Sequence, residues 1–373
     1  MTSPEAAAPL RVALVSFGFY EYVVKLATGL AQEASVSLFV PTRVPDELLE
    51  TLDPSVEVVA FERPRLREPI RQMRMCRELV RQIEMHDPDV VHLQQGHVWF
   101  NLALRRLRRY PLVVTIHDHT QHPGDRNGRK SPQPIVNMGF READSAIVHA
   151  DVLRDQTLAL GRVSEGVPVV TIPHPELVDV PAPLPAAEEP NLVLFFGRIW
   201  GYKGLEYLIR AEPLIAERVP GVRIAIAGEG EDLARYRRLM TDPERYEVHN
   251  HYVSATLRDK LFARASVVAL PYIEASQSGV IPIAYAFSKP VVATRVGGLI
   301  EAVADGSTGV LVPTRDAAAL ASAIADLLLD SERRRNLGRA GRQKLATELS
   351  AEVVGAQTVA VYRDTLEGRP KAS

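Results

Sequence analysis

The chain has 373 residues, of which 46% are hydrophobic, and a formal net charge of −2 at pH 7. This length is enough for two domains of ordinary size, and the balanced charge gives no indication of nucleic-acid binding. The single cysteine, Cys76, excludes an internal disulfide and is typical of a reducing compartment. No window reaches the roughly 18 apolar residues of a membrane span, and residues 1–10 lack the regions of a signal peptide. We therefore expect a cytoplasmic protein.

Short apolar runs rich in Val and Ile alternate with helical patterns along the first half of the chain. Because these runs are apolar almost throughout, they are typical of strands buried on both faces of a parallel sheet. The predicted strands are 11–17, 36–40, 56–61, 90–93, 112–116, 145–149 and 169–172. The predicted helices between them include 22–32, 70–85 and 98–109. This alternation predicts a doubly wound α/β sheet.

Arginine is concentrated around the second of these helices. Seven arginines lie within residues 63–81, and residues 105–109 contain four more. The pattern favours a solvated helix face. The alternative is attraction to an anionic acceptor or to the anionic inner face of a membrane, where each nearby basic residue contributes about 1 kcal/mol; the protein would then be peripheral at that face.

A proline-rich segment separates the two halves of the chain. Residues 175–185 contain four prolines and predict a semi-rigid linker over 175–190. The alternation then restarts, with predicted strands 192–196, 223–227, 267–271, 291–294 and 310–313 and helices 205–215, 233–240, 257–265, 281–287 and 317–328. The sequence thus predicts two Rossmann-like domains, 1–174 and 191–352, with a cleft between them. The remaining segment, 353–373, is expected to pack back on the first domain as a helix over 353–366.

The predicted strand 192–196 leads into a glycine turn that carries two cations, Arg198 and Lys203. Two cations at the carboxyl end of a parallel strand can hold a diphosphate without a metal, because Arg pairs with two phosphate oxygens and Lys acts as a point charge. Residues 274–280 precede another helix, and a helix N-terminus presents free N–H groups to a phosphate. These features indicate an enzyme that binds a nucleotide diphosphate and releases it as a leaving group.

Several motifs between residues 191 and 313 resemble one family in their order and spacing. They are Gly197-Arg198 with Lys203-Gly204, Ala227-Gly228-Glu229-Gly230, Pro290-Val291-Val292-Ala293-Thr294, Val296-Gly297-Gly298 with Glu301, and Gly309-Val310-Leu311-Val312-Pro313. The chain resembles the retaining, metal-independent nucleotide-sugar glycosyltransferases of family 4 (GT4). The resemblance implies the GT-B fold, in which two Rossmann-like domains face each other across a cleft. It also implies transfer of a sugar from a nucleotide-diphosphate donor to an acceptor hydroxyl, without metal or cofactor.

The resemblance assigns the donor diphosphate to Arg198 and Lys203, for which the alternative is a surface ion pair. Many members carry two glutamates eight residues apart. Here Glu274 stands one residue from the first position, either with that role or as a surface carboxylate beside a helix. Ile283 occupies the second, which in the family contacts the nucleotide ribose, so the nucleotide stays open. The loop Ser276-Gln277-Ser278-Gly279 resembles one branch of the family, and its backbone N–H groups are expected to cradle phosphate.

The resemblance also assigns positions outside that loop. His117 follows a strand and is implied to contact hydroxyls of the donor sugar; the alternative is a structural histidine. His119, His122 and Asp125 follow it, so a metal site is a weaker alternative. Gly18 is assigned to the donor-binding set, and its aromatic-rich loop is expected to shape the acceptor side. Tyr252 and Val253 are placed near the nucleotide base, with packing in the core an equal alternative for Tyr252. His92 also fits a family pattern and is interpreted as a structural residue.

Other functions on the same fold stay open at this point. A nucleotide-sugar epimerase or a sugar phosphorylase would also bind phosphate between two Rossmann domains. A degenerate member would bind a nucleotide sugar or a partner without catalysis, and the missing second glutamate is its only support. A nicotinamide dehydrogenase is disfavoured, because residues 11–21 contain no Gly-x-Gly-x-x-Gly. The sequence leaves the acceptor open among polysaccharide, lipid-linked and natural-product hydroxyls, with polysaccharide biosynthesis favoured.

Overall fold

The computed structural model describes residues 9–94, 96–118, 133–184 and 186–368. The chain divides into two compact units. Of the described residues, the first unit contains 9–118, 133–175 and 350–368, and the second contains 176–349. Each unit is built around its own parallel sheet.

The first unit has a seven-stranded parallel sheet in the order β3-β2-β1-β4-β5-β6-β7. Its strands are β1 (Leu10–Ser16), β2 (Ala34–Pro41), β3 (Glu57–Phe61), β4 (Val90–Gln94), β5 (Leu112–Thr115), β6 (Ser145–Val148) and β7 (Val169–Thr171). The strand order reverses between β1 and β4, and ligands of doubly wound sheets bind at the carboxyl edge beside such a reversal.

Helices connect the strands of this sheet, and the longer ones pack on it through apolar faces. They are α1 (Tyr20–Leu30), α2 (Asp46–Leu49), α3 (Pro69–Met85), α4 (Val98–Ala103), α5 (Gln133–Arg141) and α6 (Asp151–Ala159), and α4 continues as a 3-10 helix, Leu104–Leu107. In α3 the residues at positions 72, 75, 76, 79, 80 and 83 are buried. This spacing of three and four residues is that of one helix face, so the arginines of α3 lie on the opposite, solvent-facing side.

The second unit repeats the topology with six parallel strands in the order β10-β9-β8-β11-β12-β13. The strands are β8 (Leu192–Phe196), β9 (Arg223–Ala227), β10 (Tyr246–His249), β11 (Val267–Leu270), β12 (Val291–Thr294) and β13 (Gly309–Val312). The helices are α7 (Leu205–Arg218), α8 (Ala234–Arg237), α9 (Ala255–Arg264), α10 (Val280–Ala286), α11 (Leu299–Ala302), α12 (Ala317–Leu329) and α13 (Ser331–Glu348). Here the reversal lies between β8 and β11.

The last helix, α14 (Ala351–Gly368), packs on α1 in the first unit. The two helices approach closely because both carry glycine at the contact. A Cβ at Gly29 would lie 1.8 Å from the carbonyl oxygen of Ala351, and a Cβ at Gly355 would lie 2.3 Å from the carbonyl carbon of Gly29. The buried residues of α14 include Tyr362, which has no exposed surface.

Most predicted strands agree with the structure to within two residues, but several elements were missed. The edge strand β10 was not predicted, because Glu247 and His249 interrupt its apolar pattern. Helix α13 was also missed, since its sequence is strongly polar and its hydrophobic positions are few. The helix predicted over 98–109 is α4 followed by a 3-10 turn, and the one predicted over 233–240 shortens to the four residues of α8.

None of the helices in the described ranges combines the length and the apolarity that crossing a lipid bilayer requires.

Candidate active site

The loop after β8 is fixed by close backbone contact with the loop after β9. Gly197 has φ +113° and donates its N–H to the Ala227 carbonyl at 2.9 Å. A Cβ at Gly228 would lie 1.9 Å from the Gly197 carbonyl oxygen, so only glycine fits there. Ile199 then exchanges backbone hydrogen bonds of 2.9 Å with Glu229 and Glu231. Arg198 is therefore carried on a segment whose backbone is bonded on both sides, and its side chain is exposed.

The same loop is also joined to the segment after β11. Gly204, with φ +68°, ends a 3-10 turn (Gly201–Lys203), and a Cβ there would lie 1.8 Å from the Pro271 carbonyl oxygen. The N–H of Ile273 donates to the carbonyl of Tyr202 at 2.7 Å. These contacts place the predicted cation-bearing turn, 197–204, beside residues 271–273, which lead into the predicted anion-binding segment 274–280 at the carboxyl edge beside the strand reversal.

Lys203 lies against tyrosine rings in this region. Its ammonium nitrogen is 3.7 Å from the centroid of the Tyr272 ring and 5.3 Å from that of Tyr202. Tyr272 is fully buried and Tyr202 is 5% exposed. Burial raises the pKa of the Tyr272 hydroxyl, while the positive charge of Arg198 acts in the opposite direction. Arg198, Lys203 and Tyr272 therefore lie close enough to interact electrostatically.

The Ser-Gln-Ser-Gly loop is largely enclosed. Ser276 and Ser278 are 3% and 7% exposed, and the Ser278 hydroxyl bonds the Tyr272 hydroxyl at 3.2 Å and accepts the Val280 N–H at 3.3 Å. A Cβ at Gly297 would lie 1.6 Å from the Ala275 carbonyl oxygen, which locks the 296–298 turn against this loop. Glu274 is exposed at the start of the loop.

The helix that follows this loop, α10, starts and ends one residue earlier than the predicted helix 281–287. Pro282 lies in its first turn, where a missing N–H costs little. Ile283, at the position of the missing glutamate, is 3% exposed and packs in the interior. It cannot take over a polar contact to a ribose.

The predicted base-side residues follow β10. Tyr252 is 74% exposed and Val253 is half-buried. The core-packing alternative for Tyr252 is therefore wrong. Gly228 donates its N–H to the His249 carbonyl at 3.0 Å, so the end of β10 joins the same edge as Gly197.

In the first unit, His117 lies at the end of β5 within a buried polar network. Its Nε2 is 2.9 Å from Gln94 Oε1, and its Nδ1 is 3.2 Å from His149 Nε2. His149 Nδ1 lies 2.9 Å from the Ile172 carbonyl. Burial, followed by the neighbouring histidines, lowers the pKa of His117 well below its usual range. His117 is thus neutral at pH 7, with both ring nitrogens engaged.

The positions of the protons in this network determine which end of the Gln94 side-chain amide faces His117. The Ile172 carbonyl only accepts, so His149 donates through Nδ1, and its Nε2 then accepts from His117 Nδ1–H. In neutral His117 the remaining nitrogen, Nε2, carries a lone pair. That lone pair is satisfied when the Gln94 amide turns its nitrogen toward His117, since amide oxygen and nitrogen occupy nearly the same positions.

The two phenylalanines of the loop after β1 differ in burial. Phe17 is 5% exposed and stacks on His97 at 4.3 Å, so it belongs to the core. Phe19 is 42% exposed, has φ +56° and stacks on His117 at 3.9 Å. Between them Gly18 is open, because a Cβ there would meet nothing within 4 Å. Phe19 therefore covers the face of His117.

His92 is fully buried, with Nδ1 2.6 Å from the Tyr362 hydroxyl and Nε2 2.7 Å from Thr115 Oγ1. This position agrees with the structural interpretation of His92. It also links α14 to the network of Gln94 and His117, because Gln94 lies 3.1 Å from His92.

The weaker metal alternative depends on His119, His122 and Asp125, which lie outside the described residues. Within the ranges that the structure describes, no group of three or more His, Cys, Asp or Glu side chains could hold a metal ion.

Sequence reasoning missed several polar residues that the structure places beside these sites. Gln94 ends β4, His149 follows β6, His174 lies three residues after β7, and Tyr272 lies two residues after β11. Each is within three residues of the carboxyl end of a predicted parallel strand. That position was the available signal, because the carboxyl ends of parallel strands meet at one edge.

Comparisons with known proteins decide the family. The model of glycosyl transferases group 1 matches residues 190–330, and that of glycosyltransferase family 4 matches residues 18–175. Glycogen synthase of Mycobacterium tuberculosis is 30% identical over 74% of this chain and 68% of its own length. The D-inositol 3-phosphate glycosyltransferase of Pseudarthrobacter chlorophenolicus is 30% identical over 87% of this chain and 84% of its own length. The chain belongs to glycosyltransferase family 4.

Solved structures give the fold. Sucrose-phosphate synthase from Thermosynechococcus elongatus superposes with a TM-score of 0.74 at 20% identity, over 96% of this chain and 100% of that one. Anabaena Alr3699/HepE in complex with UDP superposes with a TM-score of 0.70 at 19% identity, over 95% and 100%. The prediction of a GT-B α/β fold is thus confirmed, and the family membership confirms the prediction of a sugar-transferring enzyme.

Proposed function

We propose that this glycosyltransferase uses a nucleotide-diphosphate sugar and transfers the sugar to an acceptor hydroxyl. The observation that carries the proposal is the juxtaposition of Arg198 and Lys203 with the 271–279 segment at the strand reversal of the second sheet. Structures of Alr3699/HepE with UDP and with UDP-glucose, and of a starch synthase bound to ADP and acarbose, support a nucleotide-sugar donor.

The two cations suit a departing diphosphate. Negative charge grows on the leaving oxygen as the glycosidic bond breaks, and charge that meets it there stabilises the transition state more than the ground state. Arg198 is exposed, so its guanidinium can form two parallel bonds to phosphate oxygens. Lys203 adds a point charge from the same loop.

The remaining donor contacts follow from the loop and strand ends. We assign phosphate contacts to the backbone N–H groups of the 276–279 loop, because the Ser278 hydroxyl is already bonded to Tyr272. Exposed Glu274 is assigned to the sugar, and the exposed ring of Tyr252 with Val253 is assigned to the base.

His117 and Gly18 are proposed to contact sugar hydroxyls from the first unit. His117 has no exposed surface, its nitrogens bond Gln94 and His149, and Phe19 covers its face. A direct hydroxyl contact therefore requires Phe19 to move and one of these bonds to be exchanged. Gly18, next to Phe19, has open space at its Cβ position.

We further propose that transfer retains the anomeric configuration and needs no metal. In this scheme the departing diphosphate oxygen accepts the proton of the acceptor hydroxyl on the face from which it leaves. The anomeric configuration of the product, read from the proton coupling of its anomeric carbon, tests retention. Undiminished turnover in EDTA tests metal independence.

The partner proposed beyond the substrates is an anionic membrane surface, contacted weakly by α3. This helix exposes Ile70 (70%) and Met73 (45%) next to Arg74 and Arg77, which are exposed as well. Neither of these two arginines has a carboxylate within ion-pair distance among the described residues, whereas Arg71 pairs with Glu68. Co-sedimentation with phosphatidylglycerol vesicles but not with phosphatidylcholine vesicles would support the contact.

The central experiment is thermal stabilisation by UDP, GDP, ADP and dTDP and by their common sugar conjugates, each with and without EDTA. A ligand that binds only the folded state raises the midpoint of unfolding. An EDTA-insensitive shift with one base supports the donor site and identifies the nucleotide. The absence of any shift would overturn the proposal and favour a member that does not bind nucleotide sugars.

A further inference from the structure

The two phosphate-binding segments of the second unit are joined by one buried side chain, that of Tyr272. Its ring lies under the Lys203 ammonium at 3.7 Å, and its hydroxyl bonds Ser278 at 3.2 Å. Lys203 belongs to the loop after β8, and Ser278 belongs to the loop after β11. A single aromatic residue therefore contacts a cation of one segment and the core of the other.

Tyr272 is itself held firmly. Its side chain has no exposed surface, and its carbonyl accepts the Thr294 hydroxyl at 2.6 Å. The neighbouring chain is anchored too, because Ile273 donates to the Tyr202 carbonyl and the Pro271 carbonyl lies so close to Gly204 that a Cβ at residue 204 would not fit. The ring that faces Lys203 is thus fixed at its backbone and at its hydroxyl.

A lysine needs such support more than an arginine does. Its ammonium sits on a flexible four-carbon stem, and fixing that stem costs side-chain entropy. An aromatic face attracts the ammonium electrostatically through one side of the group. The ring meets the ammonium on one side only, and the proposal places the phosphate on another side.

We propose that Tyr272 is a positioning residue that pre-orients Lys203 for the donor diphosphate, with Tyr202 as a second, more distant aromatic contact. The inference depends on the proposed function, since it gives Lys203 the diphosphate as its ligand. Pre-orientation raises affinity by removing an ordering cost that binding otherwise carries. Tyr272 itself touches no reacting atom in this scheme.

Two substitutions separate the ring from the hydroxyl. Tyr272→Phe keeps the aromatic face under Lys203 and removes only the bond to Ser278. Tyr272→Leu removes both. Isothermal titration with UDP, GDP and inorganic pyrophosphate should give similar affinities for wild type and Tyr272→Phe, and affinity about 10-fold lower for Tyr272→Leu, the range of a partly desolvated cation–π contact.

The matched control is Tyr285, a second tyrosine without exposed surface in the same unit, whose hydroxyl bonds Thr308 at 2.6 Å. Tyr285→Leu removes a ring of the same size away from Lys203. Equal losses of affinity in Tyr285→Leu and Tyr272→Leu would assign the effect to general loosening and overturn the proposal.

A double-mutant comparison ties the effect to Lys203. In a Lys203→Ala background the difference between Tyr272→Phe and Tyr272→Leu should vanish, because the cation that the ring orients is gone. A difference that persists there contradicts the inference. If the wild-type protein binds none of the three ligands, the proposed function fails. If the wild type binds and Lys203→Ala weakens binding, but Tyr272→Phe and Tyr272→Leu bind equally well, only the inference about Tyr272 fails.

A measurement on the unmodified ring covers the case in which Tyr272→Leu does not fold. The ε-methylene protons of Lys203, assigned through Lys203→Arg, should resonate upfield of ordinary lysines because they lie over an aromatic face. The upfield shift should be retained in Tyr272→Phe and in the presence of pyrophosphate. Ordinary chemical shifts in the wild-type protein would show that the ring does not hold the ammonium.

Discussion

The carboxyl edges of the two sheets share a topology and differ in chemistry. In both, the strand order reverses beside the first strand, β1 in one unit and β8 in the other. The edge at β1 carries neutral, buried histidines under Phe19. The edge at β8 carries an exposed arginine and a lysine on a glycine-locked loop. The same strand arrangement thus presents uncharged hydrogen-bonding groups in one unit and positive charge in the other, and loops rather than strands set this difference.

The difference has a physical basis in how each loop is held. At β8 the loop is fixed by backbone hydrogen bonds and by contacts that only glycine permits. Its charged side chains are not needed to hold the loop, so they can extend from it and stay hydrated. At β1 the loop is held by hydrogen bonds that involve side chains, from Arg63 to the Phe17 carbonyl and from the Gly18 N–H to the Ser16 hydroxyl, and by aromatic stacking in which Phe17 and Phe19 cover the imidazoles beneath them. Covering a titratable group with apolar surface favours its neutral form.

The largest expected effect is at the charged edge. Arg198→Ala should lower turnover by about 10²- to 10³-fold, the range for removal of one preorganised group that stabilises transition-state charge. Because the side chain is exposed, the free energy of unfolding should change by less than about 0.5 kcal/mol. Steady-state kinetics and thermal melts check both parts. An Arg198→Ala enzyme of normal activity would falsify the assignment of this residue.

The glycine lock is tested by comparing two glycines of positive φ. Gly204→Ala should destabilise the protein by about 3 kcal/mol or more, because the new Cβ would lie 1.8 Å from the Pro271 carbonyl oxygen. Gly161→Ala has a similar φ, +55°, and open space around it, so only backbone strain of about 1 kcal/mol is expected. Chemical denaturation measures both. Equal costs would show that φ, and not the contact between loops, requires glycine at 204.

The histidine edge is tested by two Phe substitutions. His149→Phe removes the bonds to the Ile172 carbonyl and to His117, and leaves both partners buried, so it should cost about 2 kcal/mol of stability. His97 is 5% exposed, and neither ring nitrogen has a hydrogen-bond partner among the described residues. His97→Phe keeps the stacking shape against Phe17 and should be neutral or slightly stabilising. A His97→Phe protein destabilised as much as His149→Phe would show that His97 has a polar partner after all.

The smallest effect is the pH dependence contributed by a single histidine. Burial, with a smaller part from the Arg63 charge, lowers the pKa of His97 to about 4. The unfolded chain binds a proton near pH 6.5 and the folded chain does not, so stability is full above that pH and falls as the pH drops toward 4. Between pH 7 and 5.5 the wild type should lose about 1 kcal/mol more than His97→Phe. Denaturation curves at both pH values check the difference, and parallel losses in the two proteins would contradict it.

Much of the fold was predictable because parallel strands buried on both faces leave a clear apolar signal. Strands β8, β9 and β12 were predicted to the residue. The edge strand β10 was not, since an edge strand need not be apolar on both faces. The candidate site was predictable where glycine and charge occur together, as at Gly197 and Arg198. It was not predictable at Tyr272 and Gln94, whose importance comes from partners distant in sequence.

The sequence by itself determined the family and the two sheets: apolar runs and glycine–cation motifs are local patterns, and local patterns survive without knowledge of the fold. Only the tertiary structure decided which polar residues at the strand ends are covered and which are open. It enclosed His117 between Gln94, His149 and Phe19, exposed Tyr252, and laid Lys203 on the ring of Tyr272. Burial and pairing depend on which side chains meet across elements far apart in the chain, and no single stretch of sequence contains that information.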